Sequence, residues 1–379
     1  MSEFGIEEEF FLIDRQSLLP VRSSSSVQAI HNVIGANRAS GCTEWLPCQI
    51  EHSSPVFTRS AEAFESLLGF RHDLARAAQP HGIFAVGLGT APCVPEGPVE
   101  VSDGDRYRLF ADLAPGIAAE QYINGMHVHV GVPDRRTGVK ALNGMRRWLP
   151  VLTALSANSP LWRGADTGFA SWRSVHYRQW VVYGVPPHFA DLEDYENQVA
   201  DLLRTEVVID EATLGWLARL SPGHETVEIR TCDVQLDAGT ALTLALLIRA
   251  LVHVEMEDPR PCTTPTQLLD VAHWQSARFG LTGSLMDAET RSDVSAKHAV
   301  RTVYDRALPV LQRTSGAEVV RSGLSLLLSR GTGSECQRRA LAGEGVSGLM
   351  TCAERLLTDR SRSSPKQSAV VFSGDPDPP

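Results

Sequence analysis

The alternation of apolar and polar residues predicts short strands scattered among longer helices. Residues 4–13 are rich in strand formers, and Glu7 and Glu9 recur there at period two, so both carboxylates share one strand face while Glu8 faces away. A Ser-rich turn at 23–26 leads into a short helix, and 44–54 reads as extended. Over 60–78, Phe64, Leu67, Leu68, Leu74 and Ala78 recur at helical spacing, and 83–88 is a short apolar strand. Residues 92–105, dense in Pro, Gly and acidic residues, read as a surface loop. Helices are expected over 105–122 and 138–155, with a strand between them over 125–131. The segment 158–172 is irregular; a helix over 195–205, a β-branched strand over 226–230 and a long apolar helix over 238–257 follow it.

Beyond Pro265 the pattern is helical almost throughout, and a tail over 361–379, rich in Ser, Pro and Asp, is expected to be disordered. Strands without regular β-α-β alternation predict an α+β fold with an antiparallel or mixed sheet. No linker is long and polar enough to divide the chain, so residues 1–360 are expected to form one domain.

Composition narrows the function classes. The 379 residues are 43% apolar and 21% charged, which is material for a large core. With 35 Lys and Arg against 45 Asp and Glu, the formal charge is −10, which argues against non-specific nucleic-acid binding but leaves room for an anionic ligand held through metal ions. The first residues carry no basic and apolar signal pattern, and the apolar stretch 241–254, interrupted by Thr243, Arg249 and His253, is too short to span a bilayer. The seven cysteines include no C-x-x-C pair and read as thiols in a reducing compartment. The expectation is a cytoplasmic chain with neither nucleic-acid nor membrane partners.

Three pairs of residues could carry chemistry. Glu7 and Glu9 lie in a strand whose other residues, Phe4, Ile6, Phe10, Phe11, Leu12 and Ile13, are apolar. Parallel carboxylates on a mostly buried strand repel each other unless a cation sits between them, which makes both candidate metal ligands, although a run of glutamates is ordinarily a solvated face. His127 and His129 share a strand face suited to metal or phosphate contact, and an H-x-H pair also serves some metallohydrolases, where further histidines accompany it. Glu228 and Arg230 also share a face, either as an in-strand ion pair or to hold a metal ion beside an anionic oxygen, as phosphoryl transfer requires. Glu44, Glu51, Arg163, Asp166 and Arg173 carry no reading of their own. There is no P-loop motif and no nucleophile elbow; a literal G-x-G-x-x-G at Gly343, Gly345 and Gly348 follows a helical pattern and reads as a loop with a chance match.

Taken together, four blocks resemble the YbdK-like carboxylate-amine ligase family, related to type 2 glutamate–cysteine ligases. They are Gly5-Ile6-Glu7-Glu8-Glu9-Phe10; Gly125-Met126-His127-Val128-His129-Val130-Gly131; residues 155–162 running on through Asp166 to Arg173; and Thr226-Val227-Glu228-Ile229-Arg230 with Asp233. Weaker blocks at 277–281 and 330–338 extend the likeness over residues 3–358. The resemblance implies a glutamine synthetase-like curved antiparallel sheet with helices on its outer face, and ATP and Mg²⁺ on its concave face. It implies Glu7, Glu9, Glu44, Glu51 and Glu228 as metal ligands, and His127 and His129 at metal or phosphate. Arg230 and Arg173 would face the phosphoryl group or the substrate carboxylate, with Arg230, Arg173 and His127 as the catalytic set. The implied substrates are a carboxylate, glutamate above all, and an amine; the implied assembly is a homodimer. A phosphotransferase acting on a guanidino or amine acceptor, and a non-catalytic nucleotide-binding descendant, are the alternatives. The chain departs from the family pattern at His52-Ser53-Ser54, at 180–187 and at 216–221, segments expected to touch the amino-acid substrates, so the acceptor stays open.

Overall fold

The computed structural model describes residues 3–36, 44–260 and 262–361. Six strands form one sheet: β1 (Phe4–Asp14), β2 (Gln49–Ser53), β3 (Ile83–Val86), β4 (Gly125–Gly131), β5 (Ala218–Leu220) and β6 (Thr226–Asp233). Their order is β2-β1-β4-β6-β5, with β3 paired to the C-terminal part of β1. Every pairing in this sheet is antiparallel, which resolves the expected α+β fold to its antiparallel form.

Alternation within β1 decides which face carries chemistry. Phe4 and Ile6 enter a core with Phe64, Leu67 and Leu68 of helix Ser60–Ala78, and Phe10 and Leu12 enter one with Phe70 and Leu74 of the same helix. Glu7 and Glu9 point the other way. Farther along their face, Phe11 and Ile13 are covered by Leu349, Met350 and Ala353 of helix Gly333–Leu357. The glutamate face is therefore closed at one end by apolar packing and open at the carboxylates.

Helix Ala238–Glu257 lies against the helical side of the sheet and is apolar nearly all round, as a fully enclosed helix must be. Asp237 caps it by accepting a hydrogen bond from the Thr240 amide at 2.8 Å. By length and composition this helix could cross a bilayer, a longer span than the interrupted stretch 241–254 suggests, but most of it is buried inside the fold. Its Arg249 is buried too, donating to the Thr58 carbonyl at 3.1 Å with its guanidinium carbon 4.9 Å from the Phe4 ring centre.

Several expected elements divide or shorten. The helix expected over 105–122 ends at Leu113, because Ala114 precedes Pro115 and is held out of the helical region, at φ −145° and ψ 67°. The helix over 138–155 is two, Arg135–Met145 and Leu149–Ser156, the second opening with Pro150 in its first turn. Of the extended stretch 44–54 only β2 is strand; Leu46 and Gln49 close a turn ahead of it, the Gln49 amide donating to the Leu46 carbonyl at 2.9 Å. The glycines at 343–348 are not a loop but a kink within helix Gly333–Leu357, where Gly345 has φ 67°. The expected tail lies, from residue 362 onward, outside the described residues.

Candidate active site

The strand registers set a row of ionisable side chains across the sheet. Glu51 of β2 pairs directly with Glu9 of β1, Glu7 of β1 with His127 of β4, His129 of β4 with Glu228 of β6, and Glu228 with Arg219 of β5. Like charges directly opposite one another destabilise a sheet, and Glu9 and Glu51 are such a pair. Together these residues floor a cleft of about 480 Å³.

The row falls into two halves. In the first, His127 Nδ1 lies 3.1 Å from Glu7 Oε2, and His129 Nε2 lies 3.4 Å from Glu7 Oε1. Arg219 holds Glu228 through two bonds, Nε to Oε2 at 2.7 Å and Nη2 to Oε1 at 3.3 Å, and Arg230 donates to the same carboxylate from its own strand. Burial opposes ionisation of both glutamates, but the histidine hydrogen bonds hold Glu7, and Arg230 and Arg219 hold Glu228, well below the usual carboxylate range. Burial and the nearby Arg230 guanidinium pull His127 down to about 4, so it is neutral near pH 7. Burial also opposes charge on His129, yet its hydrogen bond to Glu7 and the Glu228 carboxylate outweigh that and raise its pKa. One ligand atom each from Glu7, His129 and Glu228 lies within 4.8 Å of the others, a spacing that can hold a metal ion.

The second half has less of that compensation. Glu44, Glu51 and Glu9 are all raised, chiefly by burial, and Glu44 and Glu51 hydrogen-bond to each other. Glu9 gains some relief from Arg173 and from the Gly125 amide, which donates to it at 2.6 Å. An all-carboxylate set whose ionisation burial opposes, and whose charge Arg173 and Arg230 offset only in part, fits a hard divalent cation with oxygen ligands, and Mg²⁺ suits such a set. His129, expected at metal or phosphate, joins the donor set of the first half.

Arg173 approaches from outside the sheet. Ser171 caps helix Trp172–Tyr177, and the Arg173 side chain reaches back over β4 and β6, its Nη2 donating to the Arg230 carbonyl at 3.4 Å. Gly125 makes this approach possible, since a Cβ there would sit 2.4 Å from Arg173 Nη2. Buried Asp233, held by Ser159 Oγ, Ser171 Oγ and the Asn158 amide at 2.7 to 2.9 Å, lies 3.9 Å from Arg173 Nη1. Arg173 Nε is buried without a hydrogen-bond partner among the described residues.

The structure thus brings together Glu7, Glu9, Glu44, Glu51, His127, His129, Arg173, Glu228 and Arg230 around one cleft. Arg163 and Asp166 stand apart, Arg163 paired with Glu120 and Asp166 with Arg338. Sequence reasoning expected the segment 216–221 to touch the substrates but did not single out Arg219, although a lone arginine in the apolar run 216–220 signals a buried charge in need of a partner. It also missed the cleft-lining aromatics Trp45, Phe110 and Tyr177, which no strand period connects to the site, whereas Trp180 lies in the segment 180–187 expected to touch the substrates.

Comparison with known proteins places this geometry. A family model described as glutamate–cysteine ligase family 2 matches residues 3–351. A Nocardia farcinica protein named "Putative glutamate--cysteine ligase 2-1" is 35% identical over 344 residues, 90% of this chain and 89% of that protein. A Saccharopolyspora erythraea protein named "Putative glutamate--cysteine ligase 2-2" is 37% identical over 347 residues, 90% and 88% of the two chains. Among solved structures, the glutamate–cysteine ligase of Francisella tularensis in complex with AMP superposes with a TM-score of 0.71 at 11% identity, covering 95% of this chain and 90% of that one. A bifunctional glutathione synthetase from Pasteurella multocida gives 0.70 at 15% identity, covering 94% of this chain and 52% of the other. At such identities these two likenesses speak to the fold alone. The extent of the family match sets aside the metallohydrolase reading of His127 and His129: the chain belongs to glutamate–cysteine ligase family 2 and is a carboxylate–amine ligase by class.

Proposed function

We propose that residues 1–360 act as one catalytic unit, an ATP-dependent, ADP-forming ligase that joins the side-chain carboxylate of glutamate to an amine. The observation that carries this reading is the row of carboxylates across the sheet, half of it ion-paired and half only partly offset, with Arg173 and Arg230 lining the same cleft. Glu7, His129 and Glu228 would hold one Mg²⁺, and Glu9, Glu44 and Glu51 a second. Bound there, the ions would neutralise phosphate charge and act as Lewis acids. The AMP held by the Francisella tularensis ligase of the same fold supports nucleotide use here.

In the reaction, a carboxylate oxygen attacks the γ-phosphorus of ATP, the bond from that phosphorus to the bridging oxygen of ADP breaks, and an acyl phosphate forms. The amine nitrogen then bonds to the acyl carbon, the carbon–oxygen bond to phosphate breaks, and the nitrogen gives up its proton to water. Arg230, kept cationic by Glu228, stabilises charge on the transferred phosphoryl group, a contribution of about 3 kcal/mol for one such donor. Arg173 orients the substrate carboxylate from the wall of the cleft. No side chain of the protein needs to become a nucleophile.

The test supplies Mg²⁺, ATP, glutamate and a panel of amines, and follows ADP, free phosphate and amide. Turnover is expected to fall at least about a hundredfold in Glu7→Gln and in Glu228→Gln. Full turnover in either would remove the metal assignment. A stable phosphorylated amine in place of phosphate and amide would establish the phosphotransferase alternative, and ATP binding without turnover the non-catalytic one. The same reading carries a cytoplasmic homodimer, which light scattering of the purified protein checks for assembly.

A further inference from the structure

The cleft has a wall that the charged row does not use. Helix Asp105–Leu113 buries none of its residues completely, yet Tyr107, Phe110 and Leu113, spaced three apart, all line the cleft. An amphipathic helix ordinarily covers its apolar stripe with core; this one covers it with the cleft. Phe110 joins Trp45 and Trp180 in a cluster with ring centres 5.5 to 5.8 Å apart. The cluster is held from behind: Trp180 Nε1 donates to Gln121 at 3.0 Å, and Arg106, 5.4 Å over the Phe110 ring, is bonded to Asp210 at 2.8 Å. Beside it the mouth carries Leu113, Val181 and Val207, which are 41%, 65% and 44% exposed. Contiguous apolar surface rimming a polar site marks a place that a ligand covers.

Which substrate covers it follows from the direction of the reaction, and so rests on the ligase reading above. In an in-line displacement, the attacking carboxylate and the departing diphosphate lie on opposite sides of the transferred phosphorus. Arg173 and Arg230 line the aromatic-walled cleft. A second cavity, of about 810 Å³, meets this cleft at Glu7, His129 and His224 and extends along Gly5, Ser53 and Thr226, toward the opposite end of β1. A carboxylate held at Arg173 therefore sends the leaving nucleotide toward the second cavity, and the amine comes in on the aromatic side. We infer that the amine substrate carries a bulky apolar group, aromatic by preference, that packs on Trp45, Phe110 and Trp180. Cysteine, with one short thiol-bearing carbon, would leave most of this wall bare.

The experiment uses the full chain with Mg²⁺, ATP and glutamate. Hydroxylamine trapping first asks whether the acyl phosphate forms, independently of any amine. If no hydroxamate appears, the ligase reading fails and this inference falls with it. If it does appear, phenethylamine, isoamylamine, glycine and cysteine are compared by kcat/KM for the amide. Phenethylamine is expected to exceed cysteine at least about tenfold, since even one methylene in an apolar pocket is worth that much. The ratio of phenethylamine to glycine should fall about tenfold or more in Phe110→Ala and in Trp180→Ala, mostly through KM for the amine, and recover in Trp180→Phe. Phe110 sits on a helix with no fully buried residue, so its truncation does not threaten the core. Preference for cysteine or glycine, no amide from any of the four, or a rise in KM for ATP with the amine ratio unchanged would each overturn the inference, the last by giving the wall to the adenine ring.

Discussion

Three successive glutamates of β1 meet two different fates. Glu8 is fully buried on the helical side, where Arg71, equally buried, bonds its carboxylate and the Gln235 carbonyl. Glu7 and Glu9, on the other face, look into the cleft, and Glu9 meets Glu51 and Glu44, its charge offset only in part by Arg173 and Arg230. One residue type in one strand thus serves as a closed ion pair on one side and as part of an incomplete charge set on the other. The closed pair costs its desolvation and completes itself within the chain; the open set leaves its compensation to a ligand. Between Glu8 and Glu9, the structural charge and the functional one differ in whether the protein supplies a bonded cation, while Glu7 and Glu228 carry partners of their own and still face the cleft.

The sharpest way to break this contrast is to remove the partner that the protein does supply. Arg71→Met leaves Glu8 buried and unpaired and is expected to lower stability by about 3–5 kcal/mol, whereas the double variant Glu8→Leu with Arg71→Met should recover most of that loss. Chemical denaturation of the three proteins measures both. A small loss for Arg71→Met would mean that Glu8 is not the structural half of the strand.

The open set predicts the opposite pattern. Glu51→Gln removes a carboxylate that burial and its acidic neighbours already disfavour, and the amide can still donate to Glu44. Stability without metal is expected to stay level or rise by up to about 1 kcal/mol, as it does when a site strained for function is relaxed. Amide-forming turnover with Mg²⁺ and ATP should fall about a hundredfold. Thermal unfolding with and without Mg²⁺ adds a second reading, since Mg²⁺ should stabilise the native protein more than the variant. Equal Mg²⁺ shifts would place the ion elsewhere.

Gly125 lies between the two kinds of residue. It carries no charge, yet its missing side chain admits Arg173, and its amide holds Glu9. Gly125→Ala has no positive φ to strain and is expected to fold, while displacing the Arg173 guanidinium and lowering kcat/KM about tenfold, mainly through KM for the carboxylate substrate. An unchanged KM would mean that Arg173 does not orient that carboxylate.

Much of this contrast was legible in the sequence because a strand has a period of two. The period put Glu7 with Glu9, His127 with His129 and Glu228 with Arg230 on shared faces, and Glu8 on the opposite one, before any strand was paired. It could not supply register, which depends on contacts between strands far apart in the chain. So the Glu9–Glu51 and Glu228–Arg219 pairings, and the identity of the Glu8 partner sixty-three residues away, were out of reach. Glu44 and Arg173 had no local signal at all: one is brought in by a turn and the other by a short helix, and only the family resemblance pointed to them. Of the aromatic wall only Trp180 lay in a segment expected near the substrates, and the cluster stayed hidden because Trp45, Phe110 and Trp180 come from three separate parts of the chain. Helix boundaries slipped at Pro115 and Pro150, where a continuous apolar pattern ran across a residue that the backbone could not carry through.

A third kind of buried ionisable group tests whether partnership is the right criterion. His273 is fully buried in helix Thr266–Phe279, outside the cleft, and both ring nitrogens lack a hydrogen-bond partner among the described residues. Burial, with Arg178 and Arg173 adding repulsion, pulls its pKa from 6.5 down to about 3, so the native imidazole stays neutral while the unfolded one takes up a proton. Below pH 6.5 the unfolded state therefore binds more protons, and the stability that His273 allows, fully present above that pH, is lost as pH falls toward 3. The slope is about 1.4 kcal/mol per pH unit for one such proton, reached near pH 5. Other histidines with lowered pKa values, His127 and His176 among them, add to the slope of the native protein, so the measurement is a difference. His273→Phe, which keeps an aromatic ring beside Tyr183, should reduce the slope of unfolding free energy between pH 5 and 6 by close to one proton and leave glutamate activation at pH 7.5 within about twofold, since surface and core changes away from a site act additively. If the slope is the same in both proteins, His273 has found a partner in solution, and burial without a partner is not, by itself, a mark of neutrality in this fold.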